Sequence, residues 1–269
     1  APRLRALMVI LMRRFSVILS TLFMDVPFAE GPAAAAGAGF RCVEMQFPYD
    51  MTAKTLAADL ERLSLEVSVI NVPAGDLVEG GEGNAAIRDR QEDFRAGVEM
   101  CRRYADILRP RNVNVLAGAP AEARDKPDCL KVLAENLHYA GQALSDVSVG
   151  VVVEAINTVD RPGFLLSTPE DVMAAMDAAD HANLSMEFDI YHMAMMRIPV
   201  VNAFRTHLDR IGHIQFADVP KRNEPGTGTV DFDAVFAAIR ESEYDGWAAA
   251  EYFPKGTTEE GLGWHAEYA

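Results

Sequence analysis

Four oxygen-bearing side chains stand at corresponding points of four successive apolar segments: Glu154 in VVVEAIN, Asp189 in MEFDIYH, Gln215 in GHIQFAD and Glu251 in AAAEYFP. They lie 35, 26 and 36 residues apart, each interval close to one strand, loop and helix unit. An ionised carboxylate inside an apolar strand is costly unless it is paired or coordinated. Three carboxylates with one amide oxygen make a hard, all-oxygen set that suits Mg²⁺ or Mn²⁺. Zinc would call for a His or Cys cluster. Taken singly, any of these acids could cap a helix or pair with a base, but that account is poor for four at equivalent positions. The expected cofactor is therefore one divalent cation, with Glu154, Asp189, Gln215 and Glu251 as its ligands.

Short β-rich runs alternate with longer stretches of helical spacing from one end of the chain to the other. The strand candidates are 15–20, 41–47, 66–72, 112–118, 150–156, 184–190, 213–218 and 246–252. Helical patterns cover 52–63, 90–108, 130–144, 168–179 and 232–242. Thr168 with Pro169 and Asp171, and Asp231 before Phe232, read as helix starts, while Gly39 and Gly246 read as helix ends. Strict alternation implies parallel strands, and eight units in 269 residues imply a single-domain (β/α)₈ barrel of the α/β class rather than a doubly wound sheet. In such a barrel the strand ends that carry the four residues converge on one face. His213 shares the strand face of Gln215 by period-two spacing and should point into the barrel. Asn71 and Glu44, near the ends of the third and second strands, are candidate lining residues of the pocket. PGTG (225–228) offers backbone amides to an anion, although such a pattern is commonly a plain turn.

Composition narrows the function classes. The chain is 49% hydrophobic and 24% charged, with a net charge of −15, which opposes polyphosphate and excludes a general nucleic-acid surface. Cys42, Cys101 and Cys129 are odd in number and lack CxxC spacing, so neither a disulfide framework nor a cysteine zinc site is expected, and a reducing cytoplasm fits. The opening APRLRALMVILMRR has an apolar run from Ala6 to Met12, too short to span a membrane and without a small-residue cleavage site. Residues 1–11 read as an N-terminal extension, with the barrel domain over 12–269 and no membrane partner.

The stretches FPYD (47–50), NVPAGD (71–76), EAIN (154–157), PGF (162–164), FDIYHM (188–193), HIQFAD (213–218), EPGTG (224–228) and EYFPKGTTEEGLGW (251–264) resemble the hydroxypyruvate isomerase family, within the xylose-isomerase-like barrel superfamily. The resemblance runs from about Arg14 to Trp264. It implies metal-dependent exchange of hydroxypyruvate with tartronate semialdehyde, or the same reaction on a 2-oxo-tetronate. It also implies that the four residues above are the ligands and that Glu154 and Glu251 are the acid and base pair. That chemistry is coherent, because moving a carbonyl to the adjacent carbon needs a proton relayed through an enediolate whose charge a cation stabilises. His192, three residues after Asp189, is then placed to hydrogen-bond a substrate oxygen. An acid-anion substrate also calls for a local cation, for which Lys221 and Arg222 are the nearest candidates. Asp160 resembles a superfamily position that contacts ligand. The chain departs from the family's pattern at LRPRNVNV (108–115), where a Gly-Cys pair is usual, and at Ala194, where Gln is usual. These departures bear on substrate preference and subunit contact.

Three rival readings are a ketose 3-epimerase, disfavoured by Gln215 where such enzymes carry His; a metal-dependent abasic-site endonuclease, disfavoured by net charge and by only six histidines; and a non-catalytic binding barrel, which would need neither Glu154 nor Glu251. The aromatics of the C-terminal EYFPKGTTEEGLGW loop could serve a homo-oligomer interface.

Overall fold

Eight parallel strands pair in chain order and close on themselves: β1 (Phe15–Ile18), β2 (Cys42–Met45), β3 (Glu66–Asn71), β4 (Asn112–Val115), β5 (Gly150–Glu154), β6 (Leu184–Asp189), β7 (Ile211–Phe216) and β8 (Ala248–Ala250), the last pairing with β1. The structure is a computed structural model and describes residues 14–268. The expected extension, residues 1–11, lies outside the described residues. All eight expected runs form strands, in a closed barrel and not a doubly wound sheet.

The outer layer comprises α1 (Gly31–Gly37), α2 (Ala53–Leu63), α3 (Gln91–Leu108), α4 (Lys126–Ser145), α5 (Pro169–Ala179), α6 (Ile190–Met195), α7 (Val200–His207), α8 (Phe232–Glu241) and α9 (Gly263–Tyr268). Each starts for a local reason where the sequence carries one. Thr168 and Asp171 form a reciprocal capping box at α5, and Asp231 accepts from the Ala234 amide at 3.0 Å to start α8. Helix α1, GPAAAAG, has no polar face and so no periodic signal. Gly39 follows α1 with φ +95°, a conformation glycine adopts at little cost. Gly246 caps nothing, because α8 already ends at Glu241 with Ser242 as its cap. At the departure over 108–115, Arg109 takes the left-handed C-cap of α3 at φ 53°, where glycine would be less strained.

One core lies between strands and helices. Val43, Val67, Val113, Val151, Met186 and Phe216 face outward onto Leu56, Phe94, Leu133, Val172 and Phe236 of the helices. Phe15, Phe216, Phe236 and Trp264 meet edge to face with centroids about 5–6 Å apart, which anchors α9 beside the β1–β8 seam. The C-terminal loop spends its aromatics on this packing: Tyr252 and Trp264 are buried and joined by a 2.9 Å hydrogen bond, and only Phe253 is exposed. That corrects the expectation of an aromatic-rich surface there.

Inside the barrel the chemistry is reversed. Ser16, Glu44, Ser68, Asn114, Glu154, Glu187, His213 and Gln215 are all buried, where a barrel of this type is usually filled by branched apolar residues. Cys42, Cys101 and Cys129 are free and buried. Among the described residues no helix is long and apolar enough to cross a membrane.

Candidate metal and substrate site

Glu154 and Asp189 are the last residues of β5 and β6, Gln215 is the penultimate residue of β7, and Glu251 follows β8 directly. All four are at least 95% buried. Ladder register sets Asp189 opposite Gln215 and Glu154 opposite Glu187, and the carboxylates of Glu154 and Asp189 come within 4.8 Å of each other at the ends of their strands.

Each of the four is gripped by one end. Asp189 Oδ1 accepts from the amides of Tyr191 and His192 at 2.6 and 3.3 Å, capping α6, while Oδ2 has no hydrogen-bond partner. The capping role thus occupies one oxygen of the carboxylate and leaves the other without a hydrogen-bond partner. Gln215 donates from Nε2 to Glu44 at 2.6 Å and leaves Oε1 unpartnered. Glu251 Oε1 accepts from Gln46 at 3.0 Å, and its Oε2 is 2.7 Å from the Arg222 guanidinium. Glu154 Oε2 accepts from Asn114 at 3.3 Å, leaving Oε1 beside His192. Unsatisfied buried acceptors are rare in folded proteins. Here Asp189 Oδ2, Gln215 Oε1 and Glu251 Oε2 are among them, oxygens of three of the four residues whose spacing suggested a cation, so the donor set fits a hard divalent ion.

Electrostatics point the same way. Burial first, then Glu251 and Asp189, raise the Glu154 carboxyl well above the usual range. Burial, with Asp189 and Glu44 adding to it and Arg222 opposing, raises Glu251 to about 8. Opposite Glu154 in the ladder is Glu187, which also accepts from Asn114, at 3.0 Å; burial and Glu154 push it up in the same sense. Five carboxyl groups, those of Glu44, Glu154, Glu187, Asp189 and Glu251, therefore share one buried space. Among the described residues Arg222 is the one Arg or Lys paired with any of them.

His192 is 3.4 Å through Nε2 from both Glu154 and Asp189, and the three side chains cluster tightly enough to hold an ion. Its hydrogen bonds decide its role. Asn157 Oδ1 accepts from the amides of Val159 and Asp160, which turns its Nδ2 toward His192 Nδ1 at 2.7 Å, and the Asn157 amide approaches the same nitrogen at 3.4 Å. A nitrogen facing two donors must accept, so the ring proton sits on Nε2. His192 thus turns an N–H into the site and has no lone pair there for a metal. Burial lowers its pKa to about 4, Asp189 only partly opposing, which keeps the ring neutral.

The remaining expected residues separate clearly. Arg222 turns inward: its guanidinium lies 3.8 Å from Asp189 and 5.0 Å above the Tyr191 ring, whereas Lys221 is exposed. A planar guanidinium can engage two carboxylates and an aromatic face together, which an ammonium cannot. Burial opposes the charge of Arg222, and the Glu251, Asp189 and Glu154 carboxylates more than offset it, so its pKa is raised. Asp160 is exposed and occupied, accepting from Tyr191 Oη at 2.6 Å and Asn157 at 3.0 Å. It braces the Asn157–His192 contact instead of standing free for a ligand. His213 lies one layer deeper than Gln215, 2.6 Å from Glu44. Asn71 closes β3, buried at the mouth. The PGTG amides are already filled: Gly226 and Gly228 donate to Asp218 Oδ2 at 3.0 and 2.7 Å. Glu187 escaped the sequence reading although it stands two residues before Asp189, the period that puts both on one strand face.

Comparison with known proteins agrees with this architecture. Residues 32–268 match the family described as Xylose isomerase-like TIM barrel. Hydroxypyruvate isomerase of Escherichia coli (strain K12) is 40% identical over 96% of this chain and all of its own length. A 2-oxo-tetronate isomerase of Cupriavidus necator is 37% identical over 96% of this chain and 99% of its own. A crystal structure from Brucella melitensis, named AP endonuclease, family 2, superposes with a TM-score of 0.92 at 34% identity, covering 96% of this chain and 99% of that one. Set beside the closed barrel and its buried polar mouth, these likenesses make the chain a member of the hydroxypyruvate isomerase family of xylose isomerase-like TIM barrels, and an isomerase.

Proposed function

We propose that the protein interconverts hydroxypyruvate and tartronate semialdehyde, or acts on a 2-oxo-tetronate in the same way, using one Mg²⁺ or Mn²⁺ held by Glu154, Asp189, Gln215 and Glu251. The observation that carries this reading is the set of buried oxygens turned toward one mouth, with more carboxylate groups than Arg222 can neutralise. When bound, the cation would supply Lewis-acid stabilisation of the enediolate charge.

The chain's own residues do the rest. One of Glu154 and Glu251 takes a proton from the hydroxymethyl carbon, and the other returns one to the former carbonyl carbon. A hydroxyl proton shifts from one substrate oxygen to the other, so the product is an isomer and no oxidant is needed. His192 donates from Nε2 to a substrate oxygen, and its neutral ring adds no charge that would compete with the acid and base. Arg222 pairs with the substrate carboxylate, as the one Arg or Lys ion-paired with the carboxylates of the mouth among the described residues. Relatives named for either substrate are similar to this chain, at 40% and 37% identity. One added hydroxymethyl group distinguishes the two acids.

The deciding experiment is turnover by metal-stripped protein before and after adding Mg²⁺ or Mn²⁺, with hydroxypyruvate and 2-oxo-tetronate compared by kcat/KM. Metal-dependent formation of tartronate semialdehyde from hydroxypyruvate, or of the 3-oxo acid from 2-oxo-tetronate, is expected. Full activity in chelator, or no turnover of either acid with metal bound, would overturn the reading. Arg222→Met should raise KM for hydroxypyruvate at least tenfold, because a charge-assisted pair is lost. The same substitution should leave a neutral ketose unaffected in KM; equal loss on both would remove Arg222 from carboxylate recognition.

A further inference from the structure

The amide of Gln215 presents a problem that a carboxylate would not. Its two ends are nearly equal in size, but only the oxygen can bind a cation, and a flip would turn an N–H₂ group, which has no lone pair to offer, toward the cation site. Something must choose the orientation. Glu44 projects from β2 across the barrel, 171 residues away in sequence, and is 1% exposed. Its Oε1 is 2.6 Å from Gln215 Nε2. Its Oε2 is held at 2.6 Å by His213 Nε2 and at 3.2 Å by Ser68 Oγ, and Ser68 is in turn 3.1 Å from Ser16.

We infer that Glu44 is a positioning residue that locks the Gln215 amide with its oxygen toward the cation site, and that His213 and Ser68 hold Glu44 in place for that task. This rests on the metal-site reading above. The end of Gln215 that faces Glu44 is Nε2, a donor only, with a Glu44 oxygen as its acceptor, and Oε1 is left turned away, buried and unpartnered. His213 Nδ1 likewise has no partner, which leaves its Nε2 proton committed to Glu44. The network thus converts an ambiguous amide into a fixed oxygen ligand, as hydrogen bonds behind metal ligands commonly do.

The test is Mn²⁺ binding by calorimetry or electron paramagnetic resonance, with no turnover required. Glu44→Ala should weaken binding tenfold or more. Gln215→Glu in the Glu44→Ala background should restore affinity to within about threefold of the parent protein, since a carboxylate has an oxygen at both ends and needs no lock. Gln215→Glu alone should bind worse than that double variant, because it sets two carboxylates face to face. A merely structural role for Glu44 would not be relieved by changing Gln215. Unchanged affinity in Glu44→Ala, or no rescue in the double variant, overturns the inference. A second measurement does not depend on folding of the alanine variant. In the parent protein, the Gln215 side-chain amide should give one downfield, slowly exchanging proton resonance, assigned by its loss in Gln215→Glu. Absence of that signal overturns the lock. Failure of the parent protein to bind Mn²⁺ would instead overturn the metal reading, and the amide resonance would still decide the orientation.

Discussion

Glu154→Gln and Glu251→Gln, assayed separately at saturating substrate and metal, should each lower kcat by about 10²–10⁴, the range associated with loss of a positioned acid or base. The substitutions keep size and shape, and the barrel should stay folded. Either amide can still accept from Asn114 or Gln46, the neighbours that hold the native carboxylates. Saturating metal matters because each residue is also a proposed ligand, and loss of a ligand by itself would register as weaker metal binding. The two defects can be separated in D₂O. A variant that has lost the base should not exchange the hydroxymethyl protons of hydroxypyruvate, whereas one that has lost only the returning acid should exchange them without forming product. That contrast would assign the two roles. The costs should not multiply in the double variant, because the two groups act as one unit in a single proton-transfer sequence. Activity within threefold of the parent protein in either single variant would remove that residue from the chemistry.

The second large effect concerns metal and pH together. Glu251 is raised from 4.5 to about 8, by burial first and then by Asp189 and Glu44 against the opposing Arg222, and Glu154 and Glu187 shift in the same direction. A carboxyl whose pKa is higher folded than unfolded binds its proton more tightly in the native state. Its contribution is full below pH 4.5 and is lost as the pH climbs toward 8. His192, lowered by burial from 6.5 to about 4, acts in the opposite sense up to pH 6.5, so the metal-free protein should melt at progressively lower temperature from about pH 6.5 to 8. Glu82, lowered to about 2 mainly by the Arg124 hydrogen bond, acts in the opposite sense but below pH 4.5, outside the interval. Adding Mn²⁺ should reverse the trend, because metal binding requires the deprotonated groups and replaces their protons. At a hundred times Kd the expected stabilisation is about 2.7 kcal/mol, or roughly 5–10 °C in Tm for a chain of this size. Differential scanning calorimetry from pH 4.5 to 8, with and without metal, measures both trends. A metal-free Tm that rises between pH 6.5 and 8, or one that Mn²⁺ leaves unmoved, would contradict the charge cluster as the metal's site.

The same cluster shows how far local pattern reaches. Glu154, Asp189, Gln215 and Glu251 were legible because strand period and unit length are properties of neighbouring residues, and a charged residue in an apolar run is conspicuous wherever it occurs. The eight strands and the capped starts of α5 and α8 follow from the same short-range rules. Glu187 was within reach of the period-two rule, yet its meaning depends on Glu154 lying across the ladder on the next strand. The choice of Arg222 over Lys221 depends on a Tyr191 ring and two carboxylates that only the folded mouth assembles. The amides of PGTG looked available until Asp218 was seen to fill them.

What the amino-acid order determines by itself is thus the alternation of elements, the closure it favours, and the strand ends at which four oxygen-bearing side chains stand. Which end of Gln215 faces the site, which nitrogen of His192 carries its proton and which oxygen of Asp189 is free were decided by the tertiary structure alone. Each is an orientation set by a hydrogen-bond partner on another segment, as with Glu44 and Gln215, 171 residues apart. Periodicity places a side chain on a face, but its donors and acceptors acquire a direction only when the barrel closes around them.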